Sequence, residues 1–183
     1  ADRINSLLIN MEKVSTGEGN ISCKFINIHK VLGYCKNSAK NSYGSHIVFN
    51  EDYDPSLPDI YGNEELLTQI FSNLIKNACE AQPNAGQIII KTSFNRNKNF
   101  LFNENDIPES KPLQIEIIDK GKGILDEDIS SIFDPFVSKK YGGKGLGLSI
   151  VLNSIRTLDA SIDVSSERGL TNFCVNFPLK YYQ

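Results

Sequence analysis

Three polar side chains, Asn73, Asn77 and Glu80, recur at helical-turn spacing inside the largely apolar run of residues 64–82. At about 100° per residue, Leu66, Leu67, Ile70, Phe71, Leu74, Ile75 and Ala78 fill one broad sector of a helix. Asn77 falls inside that sector, and Asn73 and Glu80 lie at its edge. A buried amide without a partner costs on the order of 1–3 kcal/mol, so Asn77 requires internal hydrogen bonds or a polar ligand and metal ion.

A second feature is Asp119-Lys120-Gly121-Lys122-Gly123-Ile124, which follows directly on an apolar run at residues 115–118. It places a carboxylate at a strand end and glycines where the backbone must turn tightly. Such a carboxylate accepts a hydrogen bond from an exocyclic amine, which adenine presents and guanine at the equivalent position does not. A third is Gly142-Gly143-Lys144-Gly145-Leu146-Gly147-Leu148, with glycines at alternate positions immediately before an apolar helix. Successive backbone N–H groups and the positive end of that helix favour a phosphate. The spacing is neither that of the P-loop nor that of the dinucleotide-binding fingerprint.

Between the glycine segments, Phe133-Asp134-Pro135-Phe136 and residues 137–141 read as a mobile lid. Gly169-Leu170-Thr171 leads the last strand, with a hydroxyl that would meet the adenine end of a ligand through Asp119 or a bridging water. Taken singly, each feature also has a structural reading: a bridging asparagine, a turn aspartate, a β-forming threonine.

The elements that must position these groups follow from periodicity and turn signals. Residues 24–28, 46–50, 87–94, 113–119, 161–165 and 171–177 read as strands, and residues 30–40, 64–82 and 148–158 as helices. The polar excursion at residues 95–111 reads as a solvated hairpin rather than a site. Ile4, Leu7, Leu8 and Met11 form an amphipathic stripe that dissolves into Ser15-Thr16-Gly17-Glu18-Gly19-Asn20, which sets a boundary near residue 15. That helix is too short to be stable alone and belongs to a larger helical element. The whole implies an α+β fold: a two-layer sandwich with helices on one face of a mixed, mainly antiparallel sheet.

Composition narrows the function. A chain of 183 residues, 40% of them hydrophobic, buries one sizeable core. A net charge of −3 with interspersed signs offers no footprint for nucleic acid. The longest apolar runs fall far short of the roughly 20 residues a membrane span needs, so a soluble, cytoplasmic segment without membrane contact is expected. Cys23, Cys35, Cys79 and Cys174 are scattered, with only His29 and His46 as further soft ligands, so reduced packing thiols are expected rather than a zinc site.

In this order the segments resemble the ATPase domain shared by sensor histidine kinases, DNA gyrase, Hsp90 and MutL, the Bergerat or GHKL fold. Asn73 to Ala81 is similar to that family's asparagine box, Asp119 to Gly123 to its first glycine box, Phe133 to Phe136 to the kinases' phenylalanine box and Gly143 to Gly147 to its second glycine box. The resemblance spans roughly residues 20–180. Within the family it leans toward nitrogen-regulation sensor kinases of the NtrB type, through Asn27-Ile28-His29-Lys30-Val31-Leu32, through Asp52-Tyr53-Asp54-Pro55-Ser56-Leu57-Pro58 and through Phe133-Asp134-Pro135-Phe136-Val137-Ser138.

The resemblance implies that ATP and Mg²⁺ are the cofactors. Asn77 would coordinate the metal, Asn73 would support nucleotide and metal, and Asp119 would bind the adenine amine. It extends the nucleotide-binding set to Glu80, Gly121, Gly123, Ile124, Phe133, Gly143, Lys144, Gly145, Leu146, Gly147, Leu148 and Thr171. Gyrase-type members carry a water-activating glutamate at the position of Asn73; an amide cannot act as that base, which favours phosphotransfer over hydrolysis.

The family's acceptor histidine is usually followed by an acidic residue, and neither His29-Lys30 nor His46-Ile47 fits. Residues 1–14 would then end the dimerisation helix, with the acceptor upstream, and residues 15–183 would form the catalytic domain. The implied protein is a homodimeric kinase, membrane-anchored or not, that passes the γ-phosphoryl to its own histidine and thence to a response regulator. A gyrase-type hydrolysing clamp and a non-catalytic nucleotide-sensing module are the alternatives.

Overall fold

The computed structural model describes residues 22–95, 111–137, 145–167 and 169–181. Its elements are β1 (Lys24–Ile26), α1 (Ile28–Lys40), β2 (Ile47–Asp52), β3 (Ile60–Gly62), α2 (Glu64–Glu80), β4 (Gly86–Phe94), β5 (Leu113–Asp119), α3 (Asp126–Ile129), α4 (Gly147–Thr157), β6 (Ser161–Glu167) and β7 (Leu170–Phe177).

Five strands form one sheet in the order β2-β4-β5-β7-β6; β2 runs parallel to β4, and the other pairings are antiparallel. Alternation decides which face is buried. Ile88, Ile90 and Thr92 of β4, Ile115, Ile117 and Asp119 of β5, and Thr171, Phe173 and Val175 of β7 lie on the buried side in matched register. Their apolar members join the core formed with Leu67, Ile70, Phe71, Leu74 and Ile75 of α2 and with Val151 and Ile155 of α4. Helix α2 lies between α1 and α4 and touches β4 and β5. The other face carries polar cross-strand pairs instead: Gln114 Nε2 donates to Asn176 Oδ1 at 2.7 Å, and Asn172 Nδ2 to Glu116 Oε2 at 2.8 Å. The two-layer, mainly antiparallel arrangement expected from the sequence is the one observed.

Several boundaries shift by one or two residues from expectation, and two of the shifts have a local reason. The first strand stops at Ile26 because Asn27 caps α1, its side chain accepting from Lys30 N at 3.3 Å, so Ile28 is helical rather than extended. Helix α2 ends at Glu80; Gln82 lies beyond it, buried, bonding both Ala78 O and the backbone of Gln87. At its start Asn63 Oδ1 accepts from Leu66 N at 3.0 Å, and Glu64 and Glu65 sit at the positive helix end.

Two short elements were not expected. Strand β3 pairs antiparallel with β1 in a separate two-stranded sheet, and α3 spans one turn with no buried residue. The expected helix at residues 1–14, nearly all of the 95–111 excursion and residues 138–144 lie outside the described residues.

Candidate functional site

Asn73 and Asn77 are half-buried on α2, while Lys76 and Glu80 are exposed and pair at 3.9 Å. The buried stripe is Leu67, Ile70, Phe71, Leu74, Ile75, Ala78 and Cys79, with Leu66 half-buried. Asn77 therefore stands at the border of the apolar sector rather than inside it, because the sector is centred on Leu67 and Ala78, away from Leu66. The asparagines and Glu80 share one flank of the helix, on which Asn73 meets a glycine-rich segment.

Asn73 touches the first of these. Its Nδ2 donates to Gln69 O at 2.8 Å, and Gln69 Oε1 in turn accepts from Ser154 Oγ of α4 at 3.0 Å. Gly147, the first residue of α4, lies against Asn73 Oδ1: a Cβ there would stand 3.2 Å from that oxygen. The α4 N-cap is Leu146, which has no side-chain hydrogen bond to give, and Ser149 Oγ turns back to Leu146 O at 2.9 Å. Helix α4 thus presents the positive end of its dipole without a carboxylate or amide cap, beside Asn73.

Just before it, Gly145 holds φ +64°, where a Cβ would come within 2.5 Å of the Phe136 carbonyl carbon. Its carbonyl accepts the Phe136 N–H at 2.9 Å, so the chain on either side of residues 138–144 is held together. Phe136 itself has φ 67° and is 78% exposed, whereas Phe133 is half-buried against the core.

Asp119 ends β5 with 2% of its surface exposed, opposite Thr171 of β7 at 3%. Its Oδ1 accepts from Gly121 N at 2.9 Å. Gly121 is wedged between strand and helix: a Cβ would meet Ala81 Cβ and Asp119 Oδ1, each at 2.7 Å. Ala81 is the C-cap of α2, one turn beyond Asn77. The Cys79 thiol reports the same proximity, being pushed up to about 11 by burial and then by the negative charges of Glu80 and Asp119. Gly123, at φ +77°, and Ile124 press on the end of β6, where Ile124 N donates to Ser166 Oγ at 2.7 Å.

One helix therefore bridges the expected segments, with Gly147 against Asn73 and the Asp119–Gly121 turn against Ala81. Gly121, Gly123, Ile124 and Thr171 gather around Asp119; Gly145, Leu146, Gly147 and Leu148 gather at the start of α4. Gly143 and Lys144 fall outside the described residues. Gln69, Ser154 and Ser166 were not singled out by sequence, since each reaches the site only through tertiary contact. Neither histidine lies here: His29 stacks on Tyr53 with centroids 4.6 Å apart, and His46 Nε2 sits 2.9 Å from Gln82 O.

Among the described residues no group of three His, Cys, Asp or Glu is placed to hold a metal. A hard cation such as Mg²⁺ takes oxygen ligands, keeps waters and shares phosphate oxygens, so a single amide oxygen beside a phosphate cradle fits it without such a group. Among the described residues, too, no helix is long and apolar enough to cross a membrane.

The helix-backed, mainly antiparallel sheet, with one glycine turn at Asp119 and another beside Asn73, is the frame of an ATPase family. Residues 62–181 match the family described as histidine kinase-, DNA gyrase B-, and HSP90-like ATPase, and the chain belongs to it. It is similar to the sensory histidine kinase/phosphatase NtrB of Azospirillum brasilense, 38% identical over 180 residues covering 98% of this chain and 45% of that protein. NtrB of Rhodobacter capsulatus is 40% identical over 180 residues, 97% of this chain and 49% of that protein. The chain thus spans about half the length of these relatives.

Among solved structures, full-length ShkA in complex with AMPPNP aligns with TM-score 0.75 at 21% identity, over 93% of this chain and 34% of that one. The catalytic domain of histidine kinase ThkA aligns with TM-score 0.70 at 21% identity, over 86% and 96%. At such identities these likenesses speak for the fold.

Proposed function

We propose that residues 15–183 are the ATP-binding catalytic domain of a cytoplasmic two-component sensor histidine kinase. In this reading the domain transfers the γ-phosphoryl of Mg·ATP to a histidine of the parent protein's dimerisation domain, for relay to an aspartate of a response regulator. The observation that carries it is the bridging role of α2, whose Asn73 meets the α4 N-terminus while its C-cap meets the Asp119 turn.

The roles follow from the chemistry of each group. Asp119, buried at the end of β5, accepts the adenine amine, and Gly121 brings the backbone close to the base. The uncapped start of α4, with Gly145 and Gly147, receives the phosphates. Asn77 offers the amide oxygen for Mg²⁺, which supplies charge neutralisation on the phosphates when bound. Phe133, Glu80, Gly143 and Lys144 complete the proposed surround.

Phosphoryl transfer needs positioning and charge stabilisation more than a base. Asn73 supports this over a hydrolysing clamp: it is an amide whose Nδ2 is already engaged by Gln69 O, and it has no proton-accepting function for water. The test is calorimetric titration with ATP, with and without Mg²⁺, followed by mixing with a separately prepared dimerisation domain of an NtrB-type relative and labelled ATP. Label on that domain's histidine, with negligible phosphate release by the chain alone, is expected. Steady phosphate release with no transfer would overturn the kinase reading.

A further inference from the structure

The end of β6 makes a contact with the adenine-binding turn that the proposed function does not use. Ser166 lies half-buried, with its Oγ 2.7 Å from Ile124 N, 3.2 Å from Thr171 Oγ1 and 3.3 Å from Leu170 O. Register puts Thr171 directly across from both Ser166 and Asp119, so the β6 serine and the buried carboxylate flank one threonine. The same hydroxyl also holds the turn, since Gly123 at φ +77° brings a would-be Cβ to 3.4 Å from Ser166 Oγ and 2.9 Å from Glu167 O.

A serine hydroxyl has one proton and two acceptor lone pairs. The Ile124 N–H occupies one lone pair. The proton has two acceptors in reach, Leu170 O and Thr171 Oγ1. When Thr171 Oγ1 receives it, the Thr171 proton is directed away from Ser166 and becomes available on the Asp119 side. A buried acceptor and an adjacent donor then stand side by side. That pairing complements adenine, whose amine donates beside a ring nitrogen that accepts; guanine presents the reverse order along the same edge.

We infer that Ser166 is a positioning residue for base selection: through hydrogen bonds to Ile124 N and Thr171 Oγ1 it fixes the adenine-binding turn and sets the Thr171 hydroxyl as a donor next to Asp119. The inference rests on the ATP-binding reading above and adds to it which group decides between adenine and guanine nucleotides. Ser166 itself does not touch the nucleotide.

The experiment is calorimetric titration of the wild-type chain, Ser166→Ala and Ser166→Thr with ATP and with GTP, alongside thermal melts without nucleotide. Ser166→Ala removes both hydrogen bonds; ATP affinity is expected to fall about tenfold, as for loss of one well-formed hydrogen bond, with a much smaller change for GTP. Ser166→Thr keeps the hydroxyl and restores the ATP preference. Equal weakening of ATP and GTP, or a lowered melting temperature with an unchanged ATP-to-GTP ratio, is the signature of a merely structural serine and overturns the inference. Should Ser166→Ala not fold, Ser166→Cys, of similar volume and with only a weak donor and acceptor, carries the same comparison. Wild-type binding of ATP with an unaltered ratio in the variants removes this inference alone, whereas absence of ATP binding by the wild type removes the proposed function and this inference together.

Discussion

Asp119 is almost fully buried and accepts a hydrogen bond from a glycine amide two residues on, as a buried carboxylate must. An exocyclic amine would donate to this same carboxylate. Replacement by Asn is nearly isosteric but puts a donor where an acceptor is needed. Asp119→Asn is therefore expected to weaken ATP binding by about 10–100-fold in calorimetry, reflecting one or two lost charge-assisted bonds. Asn77→Ala is expected to remove the Mg²⁺ dependence of binding while sparing binding of the base.

His29 makes a prediction of a different kind. Burial lowers its pKa from the ordinary 6.5, and the nearby Asp54 opposes that shift without cancelling it. The folded state thus binds the proton more weakly than the unfolded chain. Stability is intact above the unfolded value and declines as pH falls below it toward the lower folded value. Glu51, held below the usual range chiefly by its bond to Lys36, and Asp54, held low chiefly by its bonds to Ser56, lose their contributions only at more acidic pH. Melting temperatures taken between about pH 7 and about pH 5.5 should fall for the wild type and stay flatter for His29→Gln.

At the scale of elements, α2 is both the centre of the core and the spine of the site. Leu74 is fully buried there, one residue from Asn73, and Leu74→Ala should cost about 2–5 kcal/mol in denaturant unfolding, by lost transfer energy and a residual cavity. Helix α1 offers the converse. Gly33 lies in its middle with nothing within 4 Å of a would-be Cβ, so Gly33→Ala should stabilise by about 0.5–1 kcal/mol without touching the nucleotide site. Gly123→Ala, at φ +77° and 2.9 Å from Glu167 O, should destabilise and also weaken ATP binding, because the strained turn carries Ile124. An unchanged ATP affinity in Gly123→Ala would separate that turn from the site.

At the scale of the whole molecule, the proposed ligand would contact groups from α2, the turn after β5 and the start of α4 at once. Binding to the folded form alone raises stability by mass action, about 2.7 kcal/mol at a hundredfold excess over Kd. ATP at that ratio is expected to raise the melting temperature of the whole cooperative unit, and GTP at the same concentration to raise it far less. A melt insensitive to ATP would contradict a site built across these elements.

The sequence alone determined whatever depends on neighbours along the chain. Period-2 alternation located β5 to the residue, the 3.6 period located α2 within two positions, and the glycines announced turns next to a carboxylate and a helix start. Even locally there were limits: β3 spans three residues with no periodicity of its own, and a helical wheel could not tell which side of Asn77 the sheet would cover. Only the tertiary structure decided that Asn73 meets Gly147, that Gly121 meets Ala81 and that Ser166 reaches Thr171 beside Asp119. Those meetings depend on strand register and helix packing. Both are set by the burial of a shared core among segments far apart in the chain, and no local spacing encodes them.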